Sequence, residues 1–203
     1  MSTNSVRFGS FLRRVFPAVS AVALAGAVTM SLTKPAEGTP PSELLELRAL
    51  HDIEDLEYCY AAGTDAIGSG DLVKGKQIYA KCFTSNAPVV ITEVGAAPGD
   101  PPVVSVPSAQ EWADLVEVYF TAAGYVSTQH KISNVRIDIL PGGYKAKITS
   151  YLTATHVYDP ESSVQMAHGT YESEAVRTPA GWKLSKRKFT TQTFFRLDAP
   201  LAP

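Results

Sequence analysis

The spacing of hydrophobic and polar positions changes once along the chain, after residue 124. Between residues 42 and 124, apolar side chains recur at three- and four-residue steps, which is typical of amphipathic helices. From residue 127 onward, apolar and polar side chains alternate, which is typical of half-buried strands. Helices followed by a meander of strands predict the α+β fold class.

The first helix is the longest predicted helix. Ser42 can cap its N-terminus, and the turn over 68–71 ends it. Glu57 belongs to an acidic set that we expect on the solvated face. The apolar stripe, which we expect to be buried, consists of Leu44, Leu47, Leu50, Ile53 and Leu56.

The remaining elements follow from capping, turn and alternation signals. A second helix is predicted over 72–83, and a third begins with a capping box at Ser108 and ends at Gly124. The proline-rich stretch 95–106 is predicted to be a loop. Strands are predicted over 89–93, 127–140, 144–158, 164–177 and 182–196.

The long strands predict the shape of the sheet. Consecutive strands joined by short turns form an antiparallel sheet, and strands of this length make it strongly curved. A bent sheet wrapped around a helix leaves one open end. The open end is a natural pocket for a small molecule.

Composition narrows the classes of protein. The chain has 203 residues, 45% of them hydrophobic, and a net charge of −2. These values fit one globular domain plus a tail, and the charge does not favour nucleic acid as a partner. The sequence has neither a glycine-rich phosphate loop nor Cys and His residues at zinc spacing, so no cofactor and no metal are predicted.

The N-terminus is predicted to be separate from the fold. Basic residues, including Arg13 and Arg14, precede an uncharged apolar run over 15–33. This arrangement predicts an export signal, with membrane anchoring through 15–33 as the alternative. We therefore assign 1–36 to a signal or anchor with its linker, and 37–203 to the domain. We expect an exported protein, periplasmic or secreted, that is either released or tethered.

Two cysteines and one basic run can be interpreted without a functional role. Cys59 and Cys82 could pair in an exported protein, but their apolar helical surroundings favour free buried thiols. The run over 186–188, with Arg187 at its centre, is interpreted as part of an exposed strand.

Asp65 is different, because it stands near the end of the first helix where an apolar residue is expected. It is either a solvated turn residue or held for a function.

The motifs in this order resemble the SnoaL-like branch of the NTF2-like superfamily. The resemblance runs from about Ser42 to Arg196. It is carried by the helix end Tyr-Ala-Ala-Gly-Thr-Asp over 60–65, by the segment Ser-Thr-Gln-His-Lys-Ile-Ser-Asn over 127–134, and by Gly-Thr-Tyr-Glu over 169–172 with Gly-Trp-Lys-Leu over 181–184. The resemblance implies the cone fold.

Within that branch the chain resembles scytalone dehydratase, bile acid 7α-dehydratase and hexachlorocyclohexane dehydrochlorinase. These enzymes eliminate a small group without a cofactor. The resemblance implies a catalytic dyad of Asp65 and His130, with Tyr60 and His156 as further catalytic residues. The candidate substrate-binding side chains are Tyr171, Trp112 and Phe120.

The chemistry implied by the dyad is acid–base elimination. A carboxylate that holds one imidazole nitrogen leaves the other free to remove a carbon-bound proton. We therefore predict a lyase or isomerase that acts on a small hydrophobic cyclic compound. The alternative is a non-catalytic exported module that binds a small ligand or dimerises, and a homo-oligomer is expected in either case. Tyr60 and Asp65 are separated by about 140° around an ideal helix, so both can face one cavity only if the helix ends or bends near Gly63.

Overall fold

The structure is a computed structural model, and it describes residues 42–97, 99–158 and 163–198. The predicted export signal, the tether over 15–33 and the first residues of the predicted domain lie outside the described residues. Within the described ranges, no helix has the length and apolar character needed to cross a membrane.

Three helices and six strands make up the described chain. The helices are α1 (Ser42–Gly68), α2 (Leu72–Cys82) and α3 (Ala109–Ala123). The strands are β1 (Val89–Glu93), β2 (Val104–Val106), β3 (Tyr125–Ile139), β4 (Lys145–Tyr158), β5 (Ser163–Thr178) and β6 (Gly181–Asp198). The capping signals predicted for α3 are confirmed, since the Ser108 side chain accepts from the Glu111 amide and Gly124 adopts the left-handed conformation.

The strands form one curved sheet in the order β2-β1-β6-β5-β4-β3. The four long strands are antiparallel neighbours, which confirms the predicted meander and the α+β class. Two details differ from the prediction. β1 pairs with β6 in parallel, so the sheet is mixed. The predicted loop over 95–106 contains the short strand β2, because residues 104–106 pair with β1.

Helix α1 packs on the sheet only along its C-terminal part. Ile53 and Leu56 are buried in the core, as predicted for the stripe, and Ile67 near the end of the helix is also buried. Leu44 and Leu47 are exposed, so the prediction of a buried stripe is wrong for the first turns. The described residues that pack against the cluster begin at Ala49, which means that the first turns of α1 extend beyond the core.

A disulfide joins α1 to α2. Cys59 and Cys82 are bonded, with their Cα atoms 6.0 Å apart, so the interpretation as free thiols is wrong. The two helices can approach this closely because Gly63 presents no side chain to α2. A Cβ atom at Gly63 would lie 2.5 Å from the ring of Tyr79, which is far inside contact distance.

A bulge in β6 corrects the interpretation of the basic run. Ala175 pairs with Leu184, but the preceding Glu174 pairs with Lys186, so one extra residue stands in β6. An inserted residue reverses which positions face the core. Arg187 is therefore fully buried rather than exposed.

Candidate active site

The site begins with the contact between Asp65 and His130. Asp65 Oδ1 lies 2.6 Å from His130 Nδ1, so the carboxylate holds one imidazole nitrogen. The side chain of His130 is 6% exposed and that of Asp65 is 29% exposed. The basic partner is thus inside the fold, while the acidic partner remains in contact with solvent.

Asp65 is fixed by more than the imidazole. Both of its oxygens lie 3.1 Å from the main-chain nitrogen of His130, and Thr128 Oγ1 donates to Oδ1 at 3.0 Å. The His130 amide is available because β3 is an edge strand of the sheet, so this amide has no neighbouring strand to pair with. The last turn of α1 reaches the edge because Gly68 packs against Thr128, where a Cβ would overlap the threonine side chain. The interpretation of Asp65 as a solvated turn residue does not fit these contacts.

His156 lies beside His130. The two imidazole centroids are 5.6 Å apart with nearly perpendicular planes. Burial, together with a smaller effect of the nearby His130, lowers the pKa of His156 to about 4. His156 is therefore neutral at pH 7. Its ring is also in contact with Phe120, at a centroid distance of 5.3 Å, so this candidate substrate-binding residue belongs to the dyad side of the core.

Tyr60, Trp112 and Tyr171 form a second cluster. The Trp112 indole donates to the Tyr60 hydroxyl at 3.3 Å, and the Tyr60 and Tyr171 rings meet edge to face at 5.5 Å. Helix α1 continues through Gly63 to Gly68, so Tyr60 and Asp65 enter different clusters. The described contacts of Tyr60 include neither member of the dyad. The catalytic role of Tyr60 stays a prediction, as do the substrate-binding roles.

The second cluster is built on an ion pair that the sequence reasoning missed. Arg187 Nη1 donates to Glu57 Oε1 at 2.8 Å, and Nη2 donates to Oε2 at 3.1 Å. The guanidinium lies between the rings of Tyr60 and Tyr171, at 3.9 and 3.7 Å from their centroids. Ser150 donates to the same carboxylate at 2.7 Å.

The ion pair of Glu57 and Arg187 stays charged because each side chain stabilises the charge of the other. Burial alone would lower the pKa of Arg187, but the attraction of Glu57 outweighs it and raises the pKa. Burial also raises the pKa of Tyr171 well above its usual value, so Tyr171 is a neutral phenol. The interpretation of Glu57 as a solvated residue is wrong. The burial of Glu57 could have been predicted from its position, because it is an acid directly after the buried Leu56, on the side of the helix that faces the sheet.

A cleft opens at the outer side of the dyad. It has a volume of about 400 Å³ and is lined by Asp65, Ser127, Thr128, Gln129, Thr155 and Val157. Most of these side chains are polar, so this cleft differs from the apolar pocket that was predicted. Asp65 is the member of the dyad that lines it.

Metal-ligating side chains are dispersed in the described part of the chain. No three His, Cys, Asp or Glu side chains of residues 42–97, 99–158 and 163–198 are grouped so that they could hold a metal ion.

Solved structures share this fold at low sequence identity. A Novosphingobium aromaticivorans protein provisionally assigned as a scytalone dehydratase is 20% identical, with a TM-score of 0.54, and the match covers 79% of this chain and 96% of that one. A hexachlorocyclohexane dehydrochlorinase from Novosphingobium barchaimii is 18% identical, with a TM-score of 0.59, covering 80% of this chain and all of that one. An NTF2-like protein with a cystatin-like fold from N. aromaticivorans is 16% identical, with a TM-score of 0.55, covering 76% of this chain and 92% of that one.

The sequence comparison identifies the family. No curated protein matches the chain. The family model described as the SnoaL-like domain matches residues 46–188, which extend from α1 into β6. The match contains both members of the dyad. The protein therefore belongs to the SnoaL-like family, and it shares its fold with these solved structures.

Proposed function

We propose that the protein is a cofactor-free lyase or isomerase whose base is His130, held by Asp65. The observation that carries the proposal is the 2.6 Å contact between a carboxylate oxygen and an imidazole whose side chain is only 6% exposed. Acid–base pairs of this kind cluster at functional sites. The neighbouring His156 adds a second ring nitrogen on the same side of the core.

The chemistry follows from the tautomer that Asp65 selects. A carboxylate accepts, so Nδ1 of neutral His130 carries the proton and Nε2 presents its lone pair. Nε2 removes a proton from a carbon of the substrate, and the imidazolium that forms is stabilised by Asp65. The electron pair of the broken C–H bond forms the double bond, and the leaving group departs from the adjacent carbon with its own pair. A positioned base of this type contributes about 10²–10⁴-fold to the rate.

The relatives support elimination as the reaction class. One structural neighbour is a dehydrochlorinase of a cyclic chlorinated hydrocarbon, and another is provisionally assigned as a dehydratase. Aromatic side chains around His156, Phe120 and Tyr125 among them, suit a hydrophobic cyclic substrate.

The first test is structural and needs no substrate. In ¹H NMR spectra of the full chain, the Nδ1 proton of His130 should give a downfield signal that Asp65→Asn weakens or removes. Asp55→Asn is the matched control, because Asp55 is an exposed acid of α1 beside His51. If the signal is absent from the wild type, or if Asp65→Asn leaves it unchanged, the dyad does not exist in solution.

The second test measures turnover. Cyclic alcohols and cyclic halides should be screened for formation of an alkene, with wild type, Asp65→Asn and His130→Ala side by side. The proposal expects both variants to lose at least about 100-fold of the activity. Unchanged turnover in either variant would contradict it.

A non-catalytic binding module is the second candidate. The observation that favours it is that Asp65 also accepts from the main-chain amide of His130 and from Thr128, which are contacts that fasten α1 to the sheet edge. In that case the role of Asp65 is to stabilise the packing of α1 on the sheet. A hydrophobic ligand found by screening should then bind to wild type and to His130→Ala with equal affinity, and it should be released unaltered.

We further propose that the chain is exported and forms a homo-oligomer. The Cys59–Cys82 disulfide supports export, because disulfides persist in oxidising compartments. Tyr151 and Phe195 are exposed strand residues that support association through the sheet. Cell fractionation with mass analysis of the N-terminus tests export, cleavage and tethering. Light scattering of wild type and of Tyr151→Lys tests the oligomer.

A further inference from the structure

Helices α1 and α2 form an antiparallel hairpin that is closed at both ends, by a turn and by a disulfide. The facing pairs, from the disulfide to the turn, are Cys59 with Cys82, Gly63 with Tyr79, and Ile67 with Gly75. In the second and third pairs a glycine of one helix faces a large side chain of the other. A Cβ atom at these glycines would lie 2.5 Å from the ring of Tyr79 or 2.3 Å from Ile67. The two helices are therefore packed as closely as their main chains allow.

Asp65 lies on the side of α1 that faces away from α2. It follows Gly63 by two positions, which is about 200° around an ideal helix. On this far side Gly68 packs against Thr128 of β3, and Asp65 accepts from the His130 amide. The last turns of α1 are thus enclosed between α2 and the edge strand β3. The position of α2 therefore determines how α1 presents Asp65 to the imidazole.

Tyr79 is the residue of α2 that fixes the turn of α1 directly before Asp65. It is fully buried, and its hydroxyl lies 2.6 Å from Thr64 Oγ1. The Thr64 hydroxyl donates its one hydrogen to the main-chain oxygen of Tyr60, so the Tyr79 hydroxyl is the donor in its contact with Thr64. Burial raises the pKa of Tyr79 well above its usual value, so the phenol keeps the proton that it donates. This chain of hydrogen bonds ends on the main chain of α1.

We propose that Tyr79 is a positioning residue for Asp65, and that the Cys59–Cys82 bond makes this positioning sensitive to redox conditions. Tyr79 stands three positions before Cys82, so the bond holds the turn of α2 that carries the phenol. With the bond intact, Tyr79 stays on Thr64 and the acid is aligned with its imidazole. The aligned dyad then requires a compartment in which disulfides persist. The inference rests on the proposed function, because it concerns the alignment of the same dyad.

Reduction removes this restraint in a two-electron step. Cys59 is only partly buried and Cys82 is fully buried, so a thiolate of a dithiol reductant attacks the sulfur of Cys59. The S–S bond breaks, and the Cys82 sulfur leaves with the electron pair and takes up a proton. The second thiol of the reductant then displaces Cys59, which also becomes a thiol, and the reductant becomes a cyclic disulfide. Two electrons and two protons have passed to the protein, and α2 is joined to α1 by the turn and by packing alone.

The first test compares the oxidised and the reduced full chain below the temperature at which either begins to unfold. The Nδ1 proton of His130 should give a downfield ¹H NMR signal in the oxidised chain. A dithiol reductant should speed the exchange of this proton with water by at least about tenfold. Cys59→Ser combined with Cys82→Ser should show the fast exchange with and without the reductant. A bond that only stabilises the fold would lower Tm and leave the exchange in the folded protein unchanged, and that result would overturn the redox sensitivity.

Tyr79→Phe tests the positioning role while the disulfide stays in place. The substitution keeps the ring and removes only the hydroxyl that contacts Thr64, and it should speed the same exchange by at least about threefold. With a substrate found by screening, it should lower kcat and leave KM unchanged. Tyr58→Phe is the matched control, because Tyr58 is an exposed residue of α1 whose hydroxyl contacts Glu54. Wild-type exchange in Tyr79→Phe would refute the positioning role, even where the reduced chain unfolds.

Failure of the proposed function and failure of this inference give different spectra. An oxidised wild type without the Nδ1 signal of His130 contradicts the dyad itself, and both proposals then fall. An oxidised wild type that has the signal, with an exchange that ignores the reductant and Tyr79→Phe, leaves the dyad in place and contradicts only the positioning by α2.

Discussion

Two acid–base pairs connect the same helix to the sheet, and solvent reaches them to different extents. Glu57 with Arg187 and Asp65 with His130 both join α1 to a strand, at positions eight residues apart. Both side chains of the first pair are fully buried, whereas Asp65 keeps 29% of its surface exposed. The first pair is closed on two sides by tyrosine rings, and the second borders an open cleft.

The difference indicates which pair can do chemistry. Arginine stays charged at any accessible pH, and Glu57 holds both ends of its guanidinium, so this pair has no proton to exchange. An imidazole can both take and give a proton, and the carboxylate beside His130 is in contact with solvent. Burial of charge is therefore not in itself a sign of catalysis in this molecule. A partner that can exchange a proton and a route to solvent distinguish the pair that we propose to be functional.

The largest expected effect comes from breaking the enclosed pair. Arg187→Met leaves the Glu57 carboxylate buried without its partner, and we expect the free energy of unfolding to fall by about 3–5 kcal/mol. Urea unfolding of the two proteins measures the change. Lys186→Met removes an exposed neighbouring charge and is the matched control.

A double variant separates the effect of the charges on stability from the effect of packing. Glu57→Leu combined with Arg187→Met removes both charges and keeps apolar volume, so stability should return to within about 1–2 kcal/mol of wild type. If the single Arg187→Met variant unfolds at the wild-type urea concentration, Glu57 and Arg187 do not form a buried pair.

The disulfide should have the next largest effect. It closes a loop over a sequence separation of 23 residues and lies on α1 between the two carboxylates. Replacing Cys59 and Cys82 together by serine should lower the free energy of unfolding by about 3 kcal/mol, because the unfolded chain gains conformational freedom. Thermal unfolding with and without a reductant measures it, and the double variant should no longer respond to the reductant. A wild-type protein that is indifferent to reductant would contradict a structural disulfide.

The contact between Asp65 and His130 was expected from the resemblance to the SnoaL-like family, because no local signal joins residues that are 65 positions apart. The order of helices and strands was predictable from local signals, namely the period of the apolar residues, the capping residues and the turns. These features depend on neighbours a few positions away.

The burial of Arg187 could not be predicted, because it depends on a single extra residue in β6. Alternation counted along β6 places Arg187 on the opposite face from Leu184, and the bulge reverses this. The pairing of Cys59 with Cys82 depends in the same way on the packing of α1 against α2. Spacing along two helices does not determine how close their sides come. Long-range geometry is therefore the part of the site that only the structure supplies.

The free energy of unfolding should depend on pH because of His156, which lies beside the pair of Asp65 and His130. Burial lowers the pKa of His156 to about 4, below the value near 6.5 that it has in the unfolded chain. Between these values the unfolded chain binds the proton and the folded protein does not. The contribution of neutral His156 to the free energy of unfolding is therefore fully present above about pH 6.5, and it is lost as the pH falls toward 4.

The predicted size of this effect is about 2 kcal/mol between pH 7 and pH 4.5. Urea unfolding at both pH values measures it in wild type and in His156→Gln. The substitution should remove about that much of the pH dependence, whereas His51→Gln, which alters an exposed histidine, should leave it in place. Equal pH dependence in wild type and His156→Gln would show that His156 does not lose its proton on folding.

The smallest expected effect on stability accompanies the largest expected effect on activity. Asp65→Asn keeps a carbonyl oxygen that can accept from the His130 amide or from Thr128, so the sheet edge should stay fastened and unfolding should change by only about 1 kcal/mol. The base loses the charge that stabilises its protonated form. Turnover should therefore fall by about 10²–10⁴-fold, whereas Asp55→Asn, which alters an exposed acid of the same helix, should keep the wild-type turnover. A loss of several kcal/mol in Asp65→Asn would instead assign Asp65 to the fold, and the contrast between the two pairs would disappear.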